Sequence, residues 1–421
     1  VKPLPDSDRI LLIASNFPPV RGGSSIVYQN LAKYAKDRVA VIAPKRNYLD
    51  GLALIGWREN DKTANYKIRR VSLLRTLINS RATGVSNRLQ FGVADIGIRL
   101  RTLAAIAGSV RDWNVRSVCI GELVAGGWLV HFLKRFTHLR VFIYVHGEEI
   151  TTSEGYDINA RRRQSAIRAA DGIVVVSDFT KRAVQTLAGS LCPPIALINN
   201  GVDLSFFHPL GKDPQLLSRY QVENAFVFVT VCRLVQKKGV DMALRAFQRI
   251  SRQYPDCRYL IVGSGEYEQT LKELAAELGV DSTVRFAGEV AEEELAAHYC
   301  LGDVFVMPNR RMPNGDTEGF GLVFLEANAC GLPVIAGRDG GSPDAVRNGQ
   351  NGLVVDGASV DEIENAMRML REDAGLRQKL KDRGLEMAQS EGWDRKVSAF
   401  AEFCFDARSL ENTRQFGSTK S

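Results

Sequence analysis

No two cysteines stand at C-x-x-C spacing in this 421-residue chain; the seven thiols, Cys119, Cys192, Cys232, Cys257, Cys300, Cys330 and Cys404, are scattered, mostly in apolar runs. That pattern excludes a disulfide framework and a zinc site and suits buried thiols of a reduced, cytoplasmic protein. Long apolar runs are missing too. The nearest, Leu123 to Leu133, is interrupted by His131 and flanked by charge, so no membrane span is expected. Behind VKPLPDSDRILLIASNFPP no small-residue cleavage signature follows, and no signal peptide is expected. A dinucleotide fingerprint is incomplete: in IVGSGEYE, Glu268 stands where the third glycine of G-x-G-x-x-G belongs, which disfavours a dehydrogenase. The D-x-D pair Asp6 and Asp8 precedes the first strand and is poorly placed for a catalytic metal, so none is expected. Repeats and low-complexity blocks are absent, and the net charge of +7 is moderate. No nucleic-acid partner is expected.

What is present is an alternation of short β-branched runs with longer helical patterns. RILLIAS, RVAVIAP, SVCIG, VFIYV, GIVVVS and IALINN form one series, and AFVFVTVCRL, RYLIVGSG, VRFAG, DVFVMP, LPVIAG and GLVVD a second. Runs of this kind read as buried parallel strands wrapped by helices, which predicts two successive α/β domains. Asn, Gly and Pro cluster at residues 198–209. The domains are therefore expected at 1–202 and 203–393, with residues 394–421 as a terminal helix carrying Val397, Phe400 and Phe403 at helical spacing, returning to the first domain and ending in a frayed tail.

Open α/β sheets bind ligands beyond the carboxyl ends of their strands. After the first strand, Gly22 and Gly23 enter a helical pattern, where backbone can approach an anion at the positive helix end. After AFVFVTVCRL, Arg233 and Lys238 put a planar fork and a point charge at one strand end, a pairing that suits a diphosphate. The stretch DTEGFGLVFLEANACG sets Glu318 just before a helix and Glu326 inside it, in an otherwise apolar run. A buried carboxylate asks for hydrogen-bond donors, and sugar hydroxyls and a ribose diol would supply them. The amides of Gly319, Phe320 and Gly321 are then free to face a ligand.

The order NFPP…RGG, HGEE, INNGVD, CRLVQKKG, IVGSGEYE and EGFGLVFLEANACGLPVIAG resembles family 4 of the GT-B retaining glycosyltransferases over nearly the whole chain. It is most similar to bacterial phosphatidylinositol-mannoside mannosyltransferases and to enzymes of capsular or exopolysaccharide synthesis. The resemblance implies two Rossmann-like domains facing each other across a cleft, the first for the acceptor and the second for the sugar nucleotide. It implies transfer of a hexose from a GDP- or UDP-linked donor, GDP-mannose favoured, to a lipid-linked or glycan acceptor by same-face substitution, with no cofactor required. Arg233 and Lys238 would neutralise the pyrophosphate, Glu326 would hold the ribose, and Glu318 with the amides of Gly319 to Gly321 would orient the hexose. Gly22 and Gly23 would approach the phosphate or acceptor, His146 would meet the sugar near its 6-position, and the backbone at Gly288 and Val290 would lie against the base.

Two other classes fit the same architecture: a sugar-nucleotide epimerase and a non-catalytic two-lobed ligand-binding protein. A third feature bears on location. From Lys67 to Arg116 ten basic residues face only Asp95 and Asp112. Arginines recur there beside Leu73, Leu74, Leu77, Ile78, Leu89, Phe91, Ile96, Ile98 and Leu100. Such stretches predict peripheral docking on an anionic inner membrane face, with Arg69, Arg70 and Arg75 among the contacts.

Overall fold

A computed structural model describes residues 8–77, 85–152, 157 and 159–405. The chain divides into two compact units: Val1–Val176, Thr180–Ile198 and Trp393–Ser421 form one, and Ser177–Phe179 with Asn199–Gly392 the other. Each is an α/β unit around one parallel sheet.

The first sheet contains β1 (Arg9–Ile13), β2 (Val39–Pro44), β3 (Ile68–Val71), β4 (Val115–Ile120), β5 (Arg140–Val145), β6 (Gly172–Val175) and β7 (Ile195–Leu197), in the order β3-β2-β1-β4-β5-β6-β7. Interior strands such as β2 are buried at every residue because helices cover both faces, which is why they read as unbroken apolar runs. The strand order reverses at β1, whose Ile13 pairs with Ile42 on one side and Ile120 on the other. This is the topological switch point of the unit.

The second sheet contains β8 (Phe226–Val231), β9 (Cys257–Val262), β10 (Val284–Gly288), β11 (Val304–Met307), β12 (Val334–Gly337) and β13 (Gly352–Val355). Its order, β10-β9-β8-β11-β12-β13, places the switch point at β8 and β11.

The helix Trp393–Phe405 belongs to the first unit and buries Val397, Phe400, Ala401 and Cys404 at i, i+3, i+4 and i+7 spacing. Phe403 meets Phe142 of β5 at 5.4 Å between ring centroids, and the Ser117 hydroxyl of β4 donates to the Cys404 carbonyl at 2.9 Å. A side chain at Gly172 would strike the Phe403 ring at 2.6 Å, so this docking needs glycine in β6. Truncating a phenylalanine so packed costs about 3–5 kcal/mol.

β3 is the strand that the apolar pattern misses, because its sequence IRRV is half-buried at the sheet edge. It corrects the reading of the basic segment. Arg70 has a side chain only 3% exposed and pairs with Asp61 at 2.7 Å. Arg69 pairs with Asp112 at 2.7 Å, and Arg75 faces Glu122 at 3.4 Å. Each of these cations has an acidic partner within the first unit, and the Arg70 side chain is buried, so they do not form the free basic surface that the sequence pattern suggests. Leu74 and Ile98 are likewise buried in the core. Ile78 lies outside the described residues, as do the side chains of Leu89 and Phe91. On the helix Val85–Trp113, however, Val93, Ile96 and Leu100 are exposed at i, i+3 and i+7 and share one face. Among the described residues no helix is long and apolar enough to cross a membrane.

Candidate active site

In the second unit, the side chains singled out in the sequence gather where β8 and β11 end. β8 stops at Val231; Arg233 follows, then the turn Gln236–Lys238, and Gly239 opens the helix Val240–Gln253. Gly239 has φ 72°, and a Cβ there would lie 2.0 Å from the Pro308 carbonyl, so the Lys238 turn can press against the end of β11 only with glycine at 239. On the β11 side the chain runs through residues 308–321 to the helix Leu322–Ala329.

Lys238 Nζ donates to Glu318 Oε2, and each side chain is 14% exposed. Burial alone would push the Glu318 carboxyl up. The Lys238 ammonium, its hydrogen bond, Lys237 and the Phe320 amide outweigh burial and hold the carboxyl below its usual range. The Phe320 amide is therefore turned partly to Glu318 itself rather than left wholly for a ligand. Lys237 is held by Asp316 at 2.7 Å, which leaves Lys238 as the cation on the Glu318 side of the turn. Arg233 is exposed and has no ion-pair partner among the described residues. It acts with Lys238 on the Cys232 thiol, which burial pushes up to about 12 against the pull of both cations. Arg233, Lys238 and Glu318 thus share one electrostatic neighbourhood.

Glu326 sits in an apolar helix with 6% of its surface exposed. The Tyr299 hydroxyl donates to its Oε2 at 2.7 Å. Burial pushes the carboxyl up to about 7, with the Tyr299 hydrogen bond and the Lys238 charge pulling it back. Gly321 has φ 89° and caps this helix. The loop after β12, which the sequence reading passed over, supports the other side: the Gly341 amide donates to the Glu318 carbonyl at 2.8 Å. A Cβ on Gly341 would lie 1.9 Å from the Gly319 carbonyl. Its signal was a DGGS run directly after a strand. Gly288, with φ 70°, ends β10 at the sheet edge, two strands from β8, and Val290 follows it; a Cβ on Gly288 would meet nothing within 4 Å.

The first unit carries a separate group. Gly22, with φ 153°, caps the helix Gly23–Tyr34, and both glycines are exposed. Inside that helix the Ser25 hydroxyl is buried without a hydrogen-bond partner among the described residues. His146 follows β5, and its ring lies 5.1 Å from both Tyr28 and Tyr144. Burial lowers its imidazole to about 3, so it is neutral near pH 7. Its Nε2 is buried without a partner among the described residues. The Glu149 carboxylate accepts the backbone amides of His146 at 2.8 Å and Gly147 at 3.1 Å, fixing the turn that aims the ring.

Glu122, directly after β4 at the switch point, was not foreseen. Arg75 faces its Oε2 while its Oε1 is buried without a partner among the described residues. Leu74, Thr102, Glu122 and Trp128 line a cavity here. An acid immediately behind the strand SVCIG was the available clue. Of the early D-x-D pair, Asp6 lies outside the described residues and Asp8 is held by Asn114 at 2.9 Å and by Arg116 at 3.5 Å.

Two parallel-sheet units with ligand-ready groups at their strand ends are the GT-B arrangement, and a sucrose-phosphate synthase from Thermosynechococcus elongatus shares the fold. The TM-score is 0.73 at 20% identity, over 96% of this chain and 100% of that one. Residues 21–206 match Glycosyltransferase Family 4 and residues 218–387 match Glycosyl transferases group 1. A GDP-mannose-dependent α-(1-6)-phosphatidylinositol monomannoside mannosyltransferase of Mycobacterium tuberculosis is 31% identical over 409 residues, 94% of this chain and 97% of that protein. Its Mycolicibacterium smegmatis counterpart is 32% identical over 376 residues, 86% and 89% of the two chains. The chain belongs to the group 1, family 4 glycosyltransferases.

Proposed function

We propose that the protein transfers mannose from GDP-mannose to a hydroxyl of a phosphatidylinositol mannoside, with retention at the anomeric carbon. The observation that carries this reading is the 31% identity to a relative of that activity along 94% of the chain. The second unit binds the donor: Arg233 and Lys238 take the diphosphate, Glu326 the ribose, and Gly288 and Val290 the base. Glu318, with the amides of Gly319, Phe320 and Gly321, orients the mannose. The first unit binds the acceptor, with Gly22 and Gly23 approaching phosphate and His146 meeting a sugar hydroxyl.

In the reaction the acceptor oxygen bonds to the anomeric carbon from the face that the leaving diphosphate departs. The bond from carbon to phosphate oxygen breaks, and the acceptor's proton passes to that oxygen. Charge develops on the diphosphate, so fixed cations at Arg233 and Lys238 do the main work. A neutral His146 suits hydrogen bonding to a hydroxyl and not proton donation near pH 7.

A lipid acceptor places the enzyme at the cytoplasmic membrane face. The exposed stripe Val93, Ile96 and Leu100, and not Arg69, Arg70 and Arg75, is the surface for that contact.

The test supplies purified protein with radiolabelled GDP-mannose or UDP-glucose, with and without phosphatidylinositol mannoside, and determines the anomeric configuration of the product by NMR. Acceptor-dependent α-mannosyl transfer is expected. Transfer from the UDP-sugar alone would overturn the donor, and a changed sugar without acceptor would make the protein an epimerase. Binding with no turnover would make it a receptor.

A further inference from the structure

Tyr299 lies on the helix Leu295–Cys300, which precedes β11, and Glu326 on the helix that follows it. The contact at 2.7 Å therefore joins two elements flanking one strand. Tyr299 is fully buried, and its ring is wedged by Phe207 in an edge contact at 5.8 Å and by Phe305 of β11, also at 5.8 Å. Phe305 in turn meets Phe324 edge-on at 6.0 Å, two residues before Glu326 on the same helix. The phenol is thus locked by packing, and the same packing fixes the backbone that carries its acceptor.

A carboxylate offers two oxygens and about four acceptor directions. Tyr299 takes Oε2, and among the described residues no other side chain donates to Glu326. Lys238 contributes its charge but is hydrogen-bonded to Glu318. Without the phenol the carboxylate could turn about its last torsion, which is broad for a glutamate. With Oε2 pinned, Oε1 is held in one direction and left for a donor from outside the protein.

We infer that Tyr299 is a positioning residue for the sugar nucleotide: it pins one oxygen of Glu326 so that the other is presented to the ribose diol, and thereby sets the preference for ribo- over deoxyribonucleotides. The inference rests on the proposed role of Glu326 and deepens it. Ordering the acceptor before the ligand arrives removes part of the ordering cost of binding.

Calorimetry with GDP and 2′-deoxy-GDP tests it on the wild type, Tyr299→Phe, Glu326→Gln and the double variant. The wild type should prefer GDP by roughly tenfold, one charged hydrogen bond. Tyr299→Phe should weaken GDP by about the same factor while leaving 2′-deoxy-GDP nearly unchanged, so that the preference collapses. In the Glu326→Gln background the added Phe should leave the ratio of the two affinities unmoved. Equal loss of both nucleotides in Tyr299→Phe would mean a packing role only, and an unchanged ratio would likewise overturn the inference. If Tyr299→Phe does not fold, the double variant decides, because glutamine removes the stranded charge. There, a ratio differing from that of Glu326→Gln alone refutes an effect exerted through Glu326. A wild type that does not distinguish the two nucleotides would instead defeat the ribose assignment of Glu326, a separate result.

Discussion

Replacing Lys238 by alanine strips Glu318 of the partner that keeps it ionised. Both side chains are 14% exposed, so solvent screens the pair only weakly. Breaking a buried pair from one side costs about 3–5 kcal/mol; residual exposure and the remaining pull of Lys237 reduce this to roughly 2–3 kcal/mol near pH 7. Glu318→Gln should cost less, about 1 kcal/mol, because a freed lysine stem can carry its charge toward water. The double variant should then recover about 1–2 kcal/mol relative to the sum of the singles. The sign with pH follows from the lowered carboxyl of Glu318. Its contribution is fully present above the unfolded glutamate pKa, near 4.3, and is lost as pH falls through the folded value. The gap between wild type and Lys238→Ala should therefore narrow in acid. Urea midpoints of the second unit, followed by hydrogen exchange of β8 and β11 amides at pH 7 and pH 4, would measure it. Additive single effects, or a gap that widens in acid, would refute the reasoning.

Three further outcomes are expected. GDP binding should strengthen as pH rises through about 7 and release a proton near pH 6.5, because ribose hydroxyls favour the ionised form of a carboxyl that burial holds near 7; Glu326→Gln should reduce the buffer dependence of the calorimetric enthalpy to the part that the terminal phosphate of GDP contributes. Transfer should survive EDTA, since Arg233 and Lys238 supply the positive charge that the departing diphosphate needs; loss of activity with rescue by magnesium would show otherwise. Changing Val93, Ile96 and Leu100 together to serine should release the protein from anionic liposomes by at least tenfold, each exposed apolar side chain contributing on the order of 1 kcal/mol on insertion, while solubility and GDP affinity hold.

The sequence reveals most where burial is two-sided. Parallel interior strands appear as apolar runs because both faces are covered and a polar group such as Ser117 is kept only with a buried partner, and every such run lies in one of the two sheets. β3 escapes notice because an edge strand has half its surface free for arginines, and the same arginines then mimic a basic docking surface. Only their partners, Asp61 nine residues back and Asp112 more than forty residues on, reveal their structural use, and no local pattern joins residues so far apart.

The candidate site divides in the same way. Arg233, Lys238, Glu318 and Glu326 are legible because their chemistry is out of place: cations and acids directly behind apolar strands or inside an apolar helix. Tyr299, Gly341 and Glu122 are not, since a tyrosine near a strand, a glycine in a turn and an acid beside a helix are each ordinary until the fold supplies their neighbours. What distinguishes Tyr299 is the coincidence of three facts that only packing brings together. It is fully buried, its ring is wedged between Phe207 and Phe305, and its one hydroxyl ends on the acid that the helix could least afford to leave alone. The question raised by a glutamate in the run LVFLEANAC therefore has a two-part answer. One of its two oxygens is met by the protein, through the Tyr299 hydroxyl, which lowers the cost of burying the acid. The proposed ribose contact would use Oε1, and a ligand diol that brings its own donors is the partner this reading assigns to it.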